Sequence, residues 1–302
     1  MLDPAGIEAS RVLDLFWLLL AGAVIIWLLV VGGTWYAIRA RRQHSEQTGR
    51  RLILIGGVLL PTVLLAALAV ASLRLMADLR ITEPAAAIRV TGEQFWWRVE
   101  YLDDDGTVVL ETANEFALPR EVATELQLIT ADVIHSFWVP ALAGKVDMIP
   151  GMNNRLLLEP QRTGTFRGQC AEFCGDSHAW MAFRVRVMEP ADHAAWLAHH
   201  RQPAAQPDER AERRGQALFL AYGCGACHRV RGTPAEGRLG PDLTHLADRR
   251  AIAAETLAND PEALLDWLRH PQMIKPGVSM PSFAMLRQDE LSDIVRYLGS
   301  LE

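Results

Sequence analysis

Two long uncharged stretches, residues 15–38 and 52–73, dominate the first quarter of the chain; beyond them apolar residues come only in short runs broken by turn clusters. As helices, stretches of this length reach about 33 to 36 Å, enough to cross a hydrocarbon core about 30 Å thick. The segment between them carries Arg39, Arg41, Arg42, Arg50 and Arg51 against the single acid Glu46. The positive-inside rule places that loop in the cytoplasm and both termini outside. Trp17, Trp35 and Tyr36 sit near the ends of the first stretch, where aromatic rings favour the interface, and Pro61 with Gly56-Gly57 is tolerated in a membrane helix. A signal peptide followed by a core helix fits less well, because the first run is too long for a secretory leader and lacks a basic start. The abrupt beginning at Met1-Leu2-Asp3-Pro4 is compatible with a leader missing from the sequence. Residues 1–80 are therefore expected to form a transmembrane helical hairpin.

After residue 80 the pattern changes to short stretches rich in Val, Ile, Phe, Trp and Leu, separated by clusters such as Asp103-Asp104-Asp105-Gly106 and Pro150-Gly151. Strands are predicted at 88–91, 95–101, 108–111, 125–130, 155–158, 164–169 and 182–187, which reads as an all-β sandwich or barrel over residues 81–190. Alternation puts Phe95, Trp97, Val99 and Tyr101 on one face and Trp96, Arg98 and Glu100 on the other. Residues 191–207 have a linker composition of Ala, Pro, Gln and His, with a short helix around Trp196. His193, His199 and His200 are expected to face solvent there. An amphipathic helix over 209–222 ending at Gly223 and a closing helix over 289–298 outline a last, all-α domain at 208–302.

Charge and cysteine usage narrow the chemistry. With 302 residues and a formal charge of -6, without a basic stripe, the chain is not built for nucleic acid. Its four cysteines fall in two close pairs, Cys170 with Cys174 and Cys224 with Cys227. Such pairs with histidine nearby point to metal or haem chemistry before a disulfide framework. In the run from Cys170 to Met181, two thiolates, the His178 imidazole and the Met181 thioether form a soft donor set, with His135 upstream, that suits copper. A mononuclear blue site needs only one cysteine. A binuclear site fits better, in which both thiolates bridge two coppers and each copper takes one histidine. A Cys2His2 zinc site or a disulfide are the alternatives. The run Cys224-Gly-Ala-Cys227-His228 is the c-type haem attachment signature, with His228 as the proximal ligand. Pro281 holds Met280 out of helix, as a loop ligand requires; Met273 and Met285 are rivals that are expected instead to pack against haem or core. His245 and His270 are read as surface residues.

These motifs carry a resemblance across most of the chain. The hairpin, the β region, Asp132-Val-Ile-His135-Ser-Phe-Trp-Val-Pro140, Lys145-Val-Asp147, Pro150-Gly151 and Gly168-Gln-Cys170-Ala-Glu172-Phe-Cys174 through Met181 resemble subunit II of haem-copper cytochrome c oxidases. The last domain resembles a class I cytochrome c, with Gly240-Pro241-Asp242-Leu243 and Met280-Pro281 following the haem motif, and that resemblance implies Met280 as the sixth iron ligand. The resemblance implies a multidomain membrane protein: a two-helix transmembrane hairpin, an all-β cupredoxin barrel and an all-α class I cytochrome c domain. It implies a CuA centre bridged by Cys170 and Cys174, with His135 and His178 as nitrogen ligands, Met181 as axial ligand and the Glu172 carbonyl completing it. The Glu172 carboxylate would reach a magnesium ion shared with the catalytic subunit, and Asp132, Lys145 and Asp147 would line that boundary. Phe95, Trp96 and Trp97 resemble the family's electron-input patch, with Phe95 where a tryptophan is usual. Two further departures are the absence of an acid within 52–73 and Met152 in place of a common arginine.

By that resemblance the chain is the electron-input subunit of a haem-copper cytochrome c oxidase. Electrons from an external cytochrome c or similar donor would pass through haem c to CuA and on to catalytic subunit I, which reduces dioxygen to water. No histidine lies in either span, so the chain must work with other oxidase subunits. The resemblance also implies a multi-pass place in lipid, in a bacterial plasma (inner) membrane with the copper and haem domains on the periplasmic side. An alternative is the CuA-containing input subunit of a nitric oxide reductase; a copper-delivery or redox-sensing protein is a third reading. A quinol oxidase subunit is disfavoured because the copper ligands are retained.

Overall fold

The computed structural model describes residues 2–40, 45–78 and 86–302. Arg41 and Arg42 of the basic loop, and the expected boundary between residues 80 and 81, lie outside the described residues. The first apolar stretch belongs to helix α1 (Ile7–Ala40). The second is built from α2 (Glu46–Leu54), a π-helical turn at Ile55–Leu59, and α3 (Leu60–Asp78). The wide turn has a local cause: Pro61 lacks an N–H and its ring crowds the carbonyl four residues back, while Leu60 N–H reaches back five residues to the Ile55 carbonyl. Both helices are long and apolar enough to cross a membrane. Residues Arg11–Glu83 form one unit, and Met1–Ser10 with Pro84–Glu302 form the other.

In the larger unit, ten strands make two five-stranded sheets. They are β1 (Ala86–Glu93), β2 (Trp96–Leu102), β3 (Val108–Ala113), β4 (Glu115–Pro119), β5 (Thr124–Thr130), β6 (His135–Trp138), β7 (Val146–Met148), β8 (Asn154–Leu158), β9 (Gly164–Cys170) and β10 (Ala182–Met188). The orders are β3-β2-β1-β5-β8 and β4-β10-β9-β6-β7, with β1–β5 and β4–β10 parallel and the other pairs antiparallel. Inward residues of the two sheets share one core, in which Trp97, Phe137 and Phe183 meet at centroid distances of 4.7 to 5.9 Å. Trp97, Val99 and Tyr101 face it, as alternation requires.

The outer face of β2 departs from expectation. Arg98 and Glu100 are buried, because the helical domain covers them: Arg98 Nη2 donates to the Arg238 carbonyl at 2.6 Å, and Arg238 Nη2 reaches Glu100 and Glu111 at 3.0 and 2.7 Å. Three strands lie outside those expected from the pattern. β4 is buried at every position, so it shows no alternation; β6 carries a buried histidine; β7 has three residues.

The stretch 191–207 opens with helix α4 (Pro190–His200), with Trp196 and Leu197 packed on the sandwich core. His200 is buried and His193 half-buried, which corrects the expectation that they face solvent; His199 is exposed. His193, Trp196, Leu197 and His200 form an i, i+3, i+4, i+7 stripe, so the helix lays that face on the protein. Burial depresses the His200 imidazole to about 4.

The helical domain holds α5 (Arg210–Ala221), α6 (Pro261–Arg269), α7 (Pro271–Ile274) and α8 (Gln288–Gly299), with α5 and α8 packed through Phe219 and Tyr297. It also carries a small hairpin, β11 (Ala251–Ile252) with β12 (Leu257–Ala258), whose tip docks on the β domain. Glu115 accepts from the backbone N–H groups of Arg250 and Ala251 at 2.8 and 3.0 Å, and Arg184 pairs with Glu255.

Candidate functional site

The end of β9, the start of β6 and the loop leading into β10 bring six predicted donors together. Cys170 Sγ and Cys174 Sγ lie 3.9 Å apart, His135 Nδ1 is 3.8 Å from Cys170 Sγ, and His178 Nδ1 is 3.6 Å from Cys174 Sγ. Met181 Sδ is 3.8 Å from Cys174 Sγ, and the Glu172 carbonyl oxygen 3.1 Å from Cys170 Sγ. Each sulfur thus has one imidazole beside it, and the weak donors lie on opposite sulfurs. Both cysteines are free thiols, so the disulfide alternative is not the arrangement found. The pair suits two soft metal ions bridged by sulfur better than one zinc ion in a tetrahedron.

Neighbouring residues prepare these donors. His135 Nε2 lies 2.8 Å from Asp132 Oδ1, which accepts its N–H and leaves Nδ1 as the lone pair aimed at the sulfurs. Burial opposes charge on His135, but the hydrogen bonds of Cys170 and Asp132 raise its pKa. The hydrogen bond from the Cys174 thiol lowers the Cys170 pKa, and that neighbouring negative sulfur in turn raises the second thiol's. Gly92 lies under the His135 ring, where a Cβ would stand 2.8 Å from Cδ2. The Glu172 side chain is exposed, and Lys145 Nζ pairs with Asp147 Oδ1 at 2.7 Å, so Asp147 and Lys145 hold each other at the surface.

A second feature lies beside this cluster: a cavity of about 690 Å³ lined by Cys224, Cys227, His228 and Met280 from the helical domain, and by Gln94, Phe95 and Trp96 from the β domain. His228 Nδ1 lies 2.8 Å from the Pro241 carbonyl oxygen, which can only accept; the imidazole proton is therefore on Nδ1 and Nε2 keeps its lone pair. A Cβ on Gly240 would come within 2.6 Å of the same ring, so the close approach needs glycine. Met273 and Met285 are 83% and 76% exposed, which corrects the expectation that they pack inside, and leaves Met280 as the one of the three lining the cavity. His270 is exposed, whereas His245 is buried away from the cavity, against the surface place expected of it.

The two features are fastened together. Gln94 Nε2 donates to the Cys174 carbonyl at 2.6 Å while its side chain walls the cavity. Ser177 Oγ donates to the Pro276 carbonyl at 2.5 Å, joining the loop of Cys174 and His178 to the loop that leads to Met280. Of the three aromatic candidates, Phe95 and Trp96 line the cavity, whereas Trp97 is wholly buried in the sandwich core. Gln94 and Lys275 escape a reading of the sequence, since neither residue type carries a spacing signal.

Residues 98–188 match the family Cytochrome C oxidase subunit II, periplasmic domain, and residues 212–302 match the family Cytochrome c. Cytochrome c oxidase subunit 2 of Alkalihalophilus pseudofirmus is 32% identical, over 100% of this chain and 90% of the relative. The chain belongs to the cytochrome c oxidase subunit 2 family. The subunit 2 of a Bacillus species is 33% identical over 83% of this chain and 72% of its own length, and that of Bacillus subtilis 28% identical over 100% and 91%. The periplasmic domain of subunit II of cytochrome oxidase from Bradyrhizobium japonicum is 32% identical, covering 40% of this chain and 96% of that one, with a TM-score of 0.37. As a subunit 2 chain it carries the oxidase domain and a cytochrome c domain in that order, and the cavity walls come from both.

Proposed function

We propose that this chain is the electron-input subunit of a haem-copper cytochrome c oxidase, loading a haem c on its last domain from an external donor and passing electrons through a CuA centre to the catalytic subunit. When bound, both groups supply one-electron carriers. Cys224 and Cys227 would hold the haem covalently, with His228 Nε2 and Met280 as its nitrogen and sulfur ligands. Cys170 and Cys174 would hold the copper pair together with His135, His178, Met181 and the Glu172 carbonyl. The exposed Glu172 carboxylate is free to meet a magnesium ion shared with the catalytic subunit. The hairpin fits lipid, and membership among Bacillus relatives fits a bacterial plasma membrane with both domains outside.

The observation that carries this reading is the shared cavity wall. Gln94, Phe95 and Trp96 share the cavity with the Cys-Cys-His motif, and Gln94 and Phe95 also abut the Cys174 loop. A docked domain here covers the patch that a soluble donor would use, so the external donor must load the haem domain instead. The purified complex, given reduced cytochrome c, is expected to consume dioxygen; turnover of nitric oxide with none of dioxygen would overturn the assignment.

A further inference from the structure

A second cluster of donors lies apart from the sulfur pair, where α4 meets the helical domain. His199 Nε2 is 3.1 Å from Asp248 Oδ2, and His200 Nε2 is 3.6 Å from the same oxygen. One ligand atom from each of the three residues lies within 4.8 Å of the others. The His245 ring stands 4.9 Å from both histidine rings.

The hydrogen bonds around the cluster leave lone pairs facing one another. His200 Nδ1 is 3.1 Å from the Trp196 carbonyl oxygen, so Nδ1 must carry the proton and Nε2 presents a lone pair to a carboxylate oxygen. His245 Nε2 is 3.1 Å from the Gln202 carbonyl oxygen, which leaves His245 Nδ1 as a lone pair; that atom is buried with no partner. His199 and Asp248 are exposed and His200 is buried, so the lone pair of His200 and the carboxylate oxygen face each other at the rim of the junction, where they repel unless a cation sits between them. A second proton on His200 would charge a buried imidazole.

We propose that His199, His200 and Asp248 bind one borderline divalent cation, with zinc the best fit, which staples α4 of the copper-ligand domain to the helical domain. Two imidazoles and one carboxylate with an open position make a familiar zinc set, and nothing soft is present to select Cu(I). His199 is exposed with its Nε2 already turned to Asp248, while His200 is fixed by its stacking on Trp196 at 4.0 Å. The His245 ring closes the side of the site next to His199 and His200. The staple would join residues 49 positions apart in the chain, between the two domains whose docking forms the cavity wall.

The test is equilibrium dialysis of the full copper- and haem-loaded chain in detergent against zinc chloride, with X-ray absorption at the zinc edge. One zinc per chain is expected, with nitrogen and oxygen neighbours at about 2.0 to 2.2 Å and no sulfur. The double variant His199→Ala with Asp248→Asn should lose more affinity than the roughly 10- to 100-fold typical of losing an outer-sphere partner, with haem and copper spectra unchanged. If the double variant fails to fold, His199→Ala alone, at a half-exposed position, should show a loss in the same direction. Absence of bound zinc, retention of zinc by the variants, or sulfur in the zinc shell would each overturn the proposal.

Discussion

Lys275 Nζ donates to the Phe95 carbonyl at 2.7 Å and to the Ala253 carbonyl at 2.8 Å, from a side chain that is 1% exposed. A neutral amine has two N–H groups, which match the two carbonyls. One residue thereby ties the loop of Met280, the tip of the β11–β12 hairpin and the strand entering the aromatic row.

Burial lowers the Lys275 pKa to about 7, only slightly offset by Cys174. The unfolded chain keeps this proton up to the ordinary lysine value of 10.5, so between these limits folding releases it and rising pH favours the folded state. The cost of burial is complete below about 7 and absent above 10.5. Thermal unfolding followed at the haem band should therefore show stability rising with pH above 7 by up to about 1.4 kcal/mol per unit from this group. Lys275→Met should remove that slope; an identical slope in the variant would rule out Lys275 as its source.

Arg238 pairs with the buried Glu111 and Glu100 across the domain junction, and Arg98 shares Glu111 from the other side. Arg238→Ala leaves those carboxylates with fewer cations and should weaken docking by about 1 to 2 kcal/mol, between the values for exposed and buried pairs. Protease cleavage within 201–207 should accelerate in the variant, and the difference from the parent should narrow at high salt, which screens the pairs. Unchanged cleavage would show that the pairs do not hold the domains.

Met280→Ala should abolish the sulfur-to-iron optical band while sparing the copper signal. Met273→Ala and Met285→Ala, at exposed positions, should keep the band and change stability by no more than about 0.5 kcal/mol. Survival of the band in Met280→Ala would move the sixth ligand elsewhere.

Gly92→Ala places a Cβ against the His135 ring. Overpacking of this kind costs about 1 to 3 kcal/mol. The variant should lose or distort the copper electron paramagnetic resonance signal with normal haem attachment. A native copper signal would show that the ring has room to shift.

Much of this was legible because the donor residues announce themselves. Cys170, Cys174, His178 and Met181 lie within one loop, and Cys224, Cys227 and His228 within another, so their local spacing already fixed their proximity. The two long apolar stretches were equally plain. What the pattern hid was contact between domains. Arg98 and Glu100 look like an outer polar face until Arg238 covers them, and β4 looks like no strand because both its faces are buried. The α4 stripe of His193, Trp196, Leu197 and His200 was readable as amphipathic, but histidine reads as polar and the proline-rich surroundings as linker. Gln94 and Lys275 act through backbone carbonyls, whose positions only the fold supplies.

Electron passage between the chain's own two carriers, across the wall formed by Gln94, Phe95 and Trp96, is the step on which the proposed role depends. It can be measured by photochemical reduction of the haem in the full loaded chain, with haem and copper absorbance followed together. Haem reoxidation matched by copper reduction is expected, at a first-order rate independent of protein concentration. A rate that rises in proportion to concentration, or reoxidation without copper reduction, would mean that electrons do not cross this wall within one chain.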